Sequence, residues 1–76
     1  MNKIRRAQIA ELYTKLEEVK SELEAIQEEE QEYYDNMPES LQNSDKGGMA
    51  DGAISDMEDA TNSIDEAISS IENATQ

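Results

Sequence analysis

The chain has 76 residues, six of them basic and nineteen acidic, for a formal net charge of −13. One domain is the most this length supports, and its core alone is marginal, because so small a domain buries only about 60% of its unfolded surface. Cysteine and histidine are absent, which excludes disulfide staples and the usual zinc sites; without Phe, Trp or β-branched runs, an all-β or α/β fold has nothing to build on.

Residues 3–35 are rich in Ala, Glu, Leu, Lys and Gln and contain neither Gly nor Pro, so they are predicted to form one long helix. Within it Ile9, Leu12, Leu16, Val19, Leu23, Ile26, Glu30 and Tyr33, continued by Met37, step at alternating spacings of three and four. That heptad rhythm describes a narrow stripe that must meet another helix. Ile9, Leu12, Leu16, Val19, Leu23 and Ile26 are its predicted core. Tyr33 falls on the stripe, whereas Tyr13 and Tyr34 flank it as contact anchors. Glu30 is the one interruption. A buried, unpaired carboxylate is costly, so the stripe is read as fraying into solvent there.

Asp35-Asn36-Met37-Pro38 ends the helix, because proline disfavours helical geometry at the residue before it. Residues 38–42 read as a fresh helical turn with Pro38 at its first position, and Met37 and Leu41 as a small apolar plug. Residues 43–48, Asn-Ser-Asp-Lys-Gly-Gly, are predicted as the loop that reverses the chain.

The second helix is predicted over residues 49–74. Ala50, Met57, Ile64 and Ile71 form one row, and Ala53, Ala60, Ala67 and Ala74 the next. Ile54 and Ile68 alternate with Thr61 and Thr75 in a third row. The alanines allow close approach, so they are expected to face the stripe of the first helix and to leave Ile54 and Ile68 on a flank. The predicted fold is all-α: a single domain formed by an antiparallel, coiled-coil-like two-helix hairpin. A lone hairpin leaves half of this apolar surface wet. The chain is therefore expected to dimerise or oligomerise into a helical bundle, with Met57, Ile64, Ile68 and Ile71 in its core.

Charge is unevenly placed. Residues 1–20 carry five bases against three acids, and residues 21–76 carry sixteen acids against Lys46 alone. Direct nucleic-acid binding needs a basic footprint, which is lacking. No apolar run reaches the ~20 residues of a membrane span, and none follows the basic start Met1–Arg6 as a signal peptide requires. The reading is a cytoplasmic protein with no membrane partner. There is no Cys–His pair and no Gly-rich phosphate loop, and the carboxylates lie on solvated helix faces, so no enzyme is expected. Asn43, Asp45 and Asp51 shadow the start of a calcium-binding loop, but Gly47 and Ile54 stand where ligands are required. No metal or cofactor is expected. The acidic surface remains: Glu28, Glu29, Glu32, Asp35, Asp51, Asp56 and Asp59 are the candidates for binding a basic protein, spaced along a rod in imitation of duplex phosphate.

Tyr33-Tyr34-Asp35-Asn36-Met37-Pro38-Glu39-Ser40-Leu41-Gln42, followed by Met49, Ala53-Ile54, Met57-Glu58, Ile64-Asp65-Glu66-Ala67-Ile68 and Ile71-Glu72, resembles small uncharacterised acidic proteins of phages and mobile elements in Gram-positive gut bacteria. The resemblance spans residues 33–74, and its most distinctive part is Met37–Gln42. It implies a phage or mobile-element origin, hence a bacterial host cytoplasm, and no activity of its own. Taken together, the expectation is a non-enzymatic hairpin that binds itself and a basic host protein, as an inhibitor acting by DNA mimicry. The alternatives are a structural or assembly module of a phage, and an oligomeric nucleotide sponge. The sponge requires Lys3, Arg5, Arg6 and Lys15 to converge.

Overall fold

The computed structural model describes all 76 residues. It is all-helical, with no strand: α1 is Lys3–Asp35, α2 is Glu39–Gln42 and α3 is Asp45–Ala74. α1 begins where the Asn2 side chain accepts the Arg5 amide at 2.8 Å, which satisfies one of the amide donors that a helix start leaves without a partner. Nothing interrupts it for 33 residues. It ends at Asn36, and Pro38 then turns the backbone to an extended geometry at φ −57°, ψ 149°.

α2 is a single turn folded against the end of α1. The Gln42 side-chain amide donates to the Tyr34 carbonyl at 3.0 Å, and Met37 is buried beneath it at 9% exposure. Leu41 stays 42% exposed, so the apolar plug is Met37 alone. α3 starts four residues ahead of the expected Met49. Ser44 is extended (φ −94°, ψ 176°) and Asp45 occupies the first turn, where the helix dipole favours negative charge. Gly47 and Gly48 therefore lie inside a helix and not in a loop. Gly47 is buried, and a Cβ there would collide with the carbonyl oxygens of Gln42 and Leu41. It lets one backbone pass against another.

α3 lies back along α1. Lys20 Nζ meets Asp65 Oδ1 at 2.7 Å near the middle. Tyr33 stands by Lys46 at the turn end, and Arg6 and Tyr13 line a groove with Glu72 and Thr75 at the open end. The molecule measures 58 × 15 × 12 Å.

The two helices meet along different rows from those expected. On α1 the half-buried residues are Ile9, Tyr13, Leu16, Lys20, Leu23, Gln27, Glu30 and Tyr34. On α3, Gly47, Ala50, Ile54 and Ile68 are buried and Ala53, Met57, Thr61, Ile64 and Ile71 are half-buried, as is Thr75 just past its end. Leu12, Val19, Ile26 and Tyr33, at 51%, 49%, 54% and 45% exposure, lie outside this contact. The expected core within one chain is corrected by those four residues. Ile54 and Ile68 face inward, while Ala60, Ala67 and Ala74 are exposed and Ala53 alone of their row is half-buried, so the alanine row does not face α1 beyond Ala53. Tyr13 and Tyr34 exchange places with Tyr33. Glu30 belongs to the contact row and does not mark a frayed end.

The physical reason is a competition between neighbouring rows. Covering an isoleucine side chain is worth about 1.5–3 kcal/mol, far more than covering an alanine methyl. α3 therefore turns its isoleucine row toward α1 and its alanines aside. Thr61 is tolerated in the contact because its hydroxyl donates to the Met57 carbonyl at 3.0 Å, and no buried side-chain polar atom lacks a partner. The resulting core is thin. Its buried apolar residues are Met37, Ala50, Ile54 and Ile68, and no large side chain is fully buried. The accessible surface is 5641 Å², against about 4,700 Å² for a compact monomer of this mass.

Two glycine substitutions separate close approach from helix propensity. Gly52→Ala meets open space and should stabilise the fold by up to about 1 kcal/mol. Gly47→Ala should destabilise it despite the same gain in propensity, because backbone oxygens must move. Urea denaturation of both variants checks the opposite signs.

Candidate functional site

Folding α3 back along α1 concentrates charge at one end. Residues 21–61, the turn half, carry thirteen acids against Lys46, a balance of −12. The open half, residues 1–20 with 62–76, carries the remaining −1. Glu28, Glu29, Glu32, Asp35, Asp51, Asp56 and Asp59 all belong to the turn half and are all exposed.

They do not form one patch. At 3.6 residues per turn, Glu28, Asp35 and Asp51 fall on the side that carries the Lys20–Asp65 pair. Glu29 and Asp56 border the opposite side, and Glu32 and Asp59 point away from the neighbouring helix. Negative charge thus surrounds the turn half. Gln31 donates to Asp35 at 3.0 Å, an ordinary pair one helical turn apart. No group of three or more acidic, histidine or cysteine side chains could hold a metal ion. Asp45, Gly47 and Asp51 lie within α3, so the calcium-loop pattern is not a loop.

The open end holds a shallow groove of ≈ 350 Å³ lined by Arg6, Ile9, Tyr13, Ile71, Glu72 and Thr75, among others. Of Lys3, Arg5, Arg6 and Lys15, only Arg6 lines it. Lys3, Arg5, Arg6 and Lys15 are spread around α1, and Glu72 lines the groove opposite Arg6 and Tyr13. The Tyr13 hydroxyl is pushed up to about 12, first by hydrogen bonding to Glu72 and then to Glu17.

The feature that sequence reasoning missed lies on the opposite side. Lys46 Nζ sits 5.9 Å from the Tyr33 ring centroid, and both residues line a second groove with Glu30, Met49 and Ala50. Tyr33 ends the row Leu12, Val19, Ile26, Tyr33; Lys46 begins the row that continues through Ala53, Ala60, Ala67 and Ala74. The contact between Tyr33 and Lys46 therefore places a large apolar row and a small one side by side on one face. The seven-residue spacing of both rows was visible in the sequence; that they share a face was not. No family model, curated protein or solved structure matches the chain. No helix is long and apolar enough to cross a membrane.

The Tyr13 contact has a pH signature. Because folding raises its pKa from 10.0 to about 12, the neutral phenol favours the fold, with its full contribution below pH 10 and none left once pH has passed about 12. Lys20 is raised from 10.5 by its hydrogen bond to Asp65 and likewise loses its contribution as pH climbs above that value. Glu72→Gln should lower the Tyr13 midpoint. The measurement is a near-ultraviolet absorbance titration of each protein against its Tyr13→Phe counterpart; an unchanged midpoint contradicts the assignment.

Proposed function

We propose that this chain is a non-enzymatic, antiparallel helical hairpin that self-associates into a helical bundle and binds a basic protein surface through its acidic turn half. The charge distribution carries the reading. Twelve net negative charges lie on about half of a 58 Å rod. That is roughly one per 2–3 Å of axis, near the one per 1.7 Å of duplex DNA. Helices hold these carboxylates at fixed spacing, as phosphates are held on a duplex. A basic surface that normally takes nucleic acid is complementary to such a rod, and a groove suits it better than a plane because the charge lies all around. Accessible surface in excess of a compact monomer supports self-association.

The resemblance of residues 33–74 to acidic phage proteins supports a more specific version. In it the protein is carried by a phage or mobile element, acts in the bacterial cytoplasm, and occupies the nucleic-acid site of a host defence or nucleic-acid-binding protein. Its candidate contacts are Glu28, Glu29, Glu32 and Asp35 on α1 and Asp51, Asp56 and Asp59 on α3.

The test is a capture experiment with the immobilised full chain and a bacterial host lysate. Bound protein should elute with rising salt, should be displaced by competing duplex DNA, and should be lost from the triple variant Glu28→Lys, Glu29→Lys, Glu32→Lys. Capture that survives both the triple reversal and the DNA competitor would sink the mimic reading.

A further inference from the structure

We infer that the face formed by Leu12, Val19, Ile26 and Tyr33 with the alanine row of α3 docks on a second copy of this chain, the two copies running in opposite directions so that α1 packs on α1 of the partner. This rests on the self-association proposed above and specifies its surface and its polarity.

The symmetry of the two rows supports it. The large row is centred between Val19 and Ile26; the alanines Ala53, Ala60, Ala67 and Ala74 are centred between Ala60 and Ala67. The register, given by Lys20 opposite Asp65 and Tyr33 beside Lys46, sets that midpoint level with Ser21 and Glu22, within about two residues of the centre of the large row. One two-fold axis across the rod therefore serves both rows. Large residues meet large ones along α1, where Leu12 reaches Tyr33 of the partner subunit and Val19 reaches Ile26 of the partner subunit. Small residues meet small ones along α3, which lets those helices approach closely.

Charge selects the direction. In a docking with both turns at the same end, one −12 half would lie against another −12 half. Reversal places each −12 half against a −1 half. Along α1, residues 1–20 carry a balance of +2 and residues 21–35 carry seven acids and no base, so the reversed contact sets the first stretch on the second. Lys15 borders the face in one half and Glu29 borders it in the other, and reversal brings them together twice. Glu22 is the one opposed residue: it sits at the axis and meets its own copy.

Surface area agrees. The hairpin exposes 5641 Å², on the order of 900 Å² more than a compact monomer of its mass. A stable dimer covers about 800 Å² per partner. The two rows themselves carry no charge between Arg5 at one end and Lys46 at the other; Lys15, Glu22 and Glu29 run along their border.

The chain has no cysteine, so single cysteines report the geometry in the full-length protein. Oxidation of Glu22→Cys should give a disulfide-linked pair at least tenfold faster than Glu11→Cys, which lies eleven residues from the axis along α1. A mixture of Lys15→Cys and Glu29→Cys should cross-link to each other faster than either does to itself. Glu22→Gln removes the repulsion at the axis and should tighten association severalfold in sedimentation equilibrium. A doubled mass with Glu22→Cys no faster than Glu11→Cys overturns this arrangement and leaves self-association standing. An 8.5 kDa species at micromolar concentration overturns both.

Discussion

One constraint governs the molecule: a helix stripe wider than a single neighbour can cover. The apolar residues of α1 occupy two adjacent rows, and α3 can reach only one of them. Leu16 and Leu23 go under α3, while Leu12, Val19 and Ile26 are left at about half exposure. α3 divides in the same way, with Ala50, Ile54 and Ile68 inward and Ala60, Ala67 and Ala74 aside. Each helix carries an exposed row beside its contact row, so its apolar stripe is wider than the a/d stripe of a two-stranded coil. The thin core and the excess surface both follow from two helices carrying more apolar surface than they can cover for each other.

Helix content was legible because it rests on local rules. The absence of Gly and Pro from 3–35, the effect of Pro38 on Met37 and the periodicity of the second helix each act within a few residues. The facing rows were not legible. Spacings of three and four fit both Ile9-Leu12-Leu16-Val19 and Ile9-Tyr13-Leu16-Lys20, and only the partner's side chains decide between them. Lys20 looks wrong for a contact row until Asp65 is placed opposite it at 2.7 Å. Gly47 looks like a loop residue until the backbone of α2 is placed against it. The acidic candidates were individually readable as exposed, but a sequence does not tell that they encircle a rod.

The polar members of the contact row deserve a physical reading of their own. Lys20, Gln27, Glu30 and Thr61 weaken the seam between α1 and α3 relative to a row of leucines. They also restrict its register: Lys20 finds its carboxylate only when Asp65 is opposite, and Thr61 is satisfied within its own helix. An exposed ion pair adds little net stability, so its larger effect is to disfavour slipped alignments of two similar helices.

The turn is built almost wholly from near neighbours in sequence. Met37, the Gln42 amide on Tyr34 and Gly47 against Gln42 link residues no more than about ten positions apart. Closing so short a loop costs little chain entropy, and contacts of this kind form early in folding. The chain should therefore close like a zipper from Pro38 outward, with the ends at Lys3 and Ala74 last to join and first to open. Its starting point is also its most highly charged half, where screening by salt relieves repulsion between the two helices. Added salt should therefore speed folding through the same carboxylates that give the surface its character.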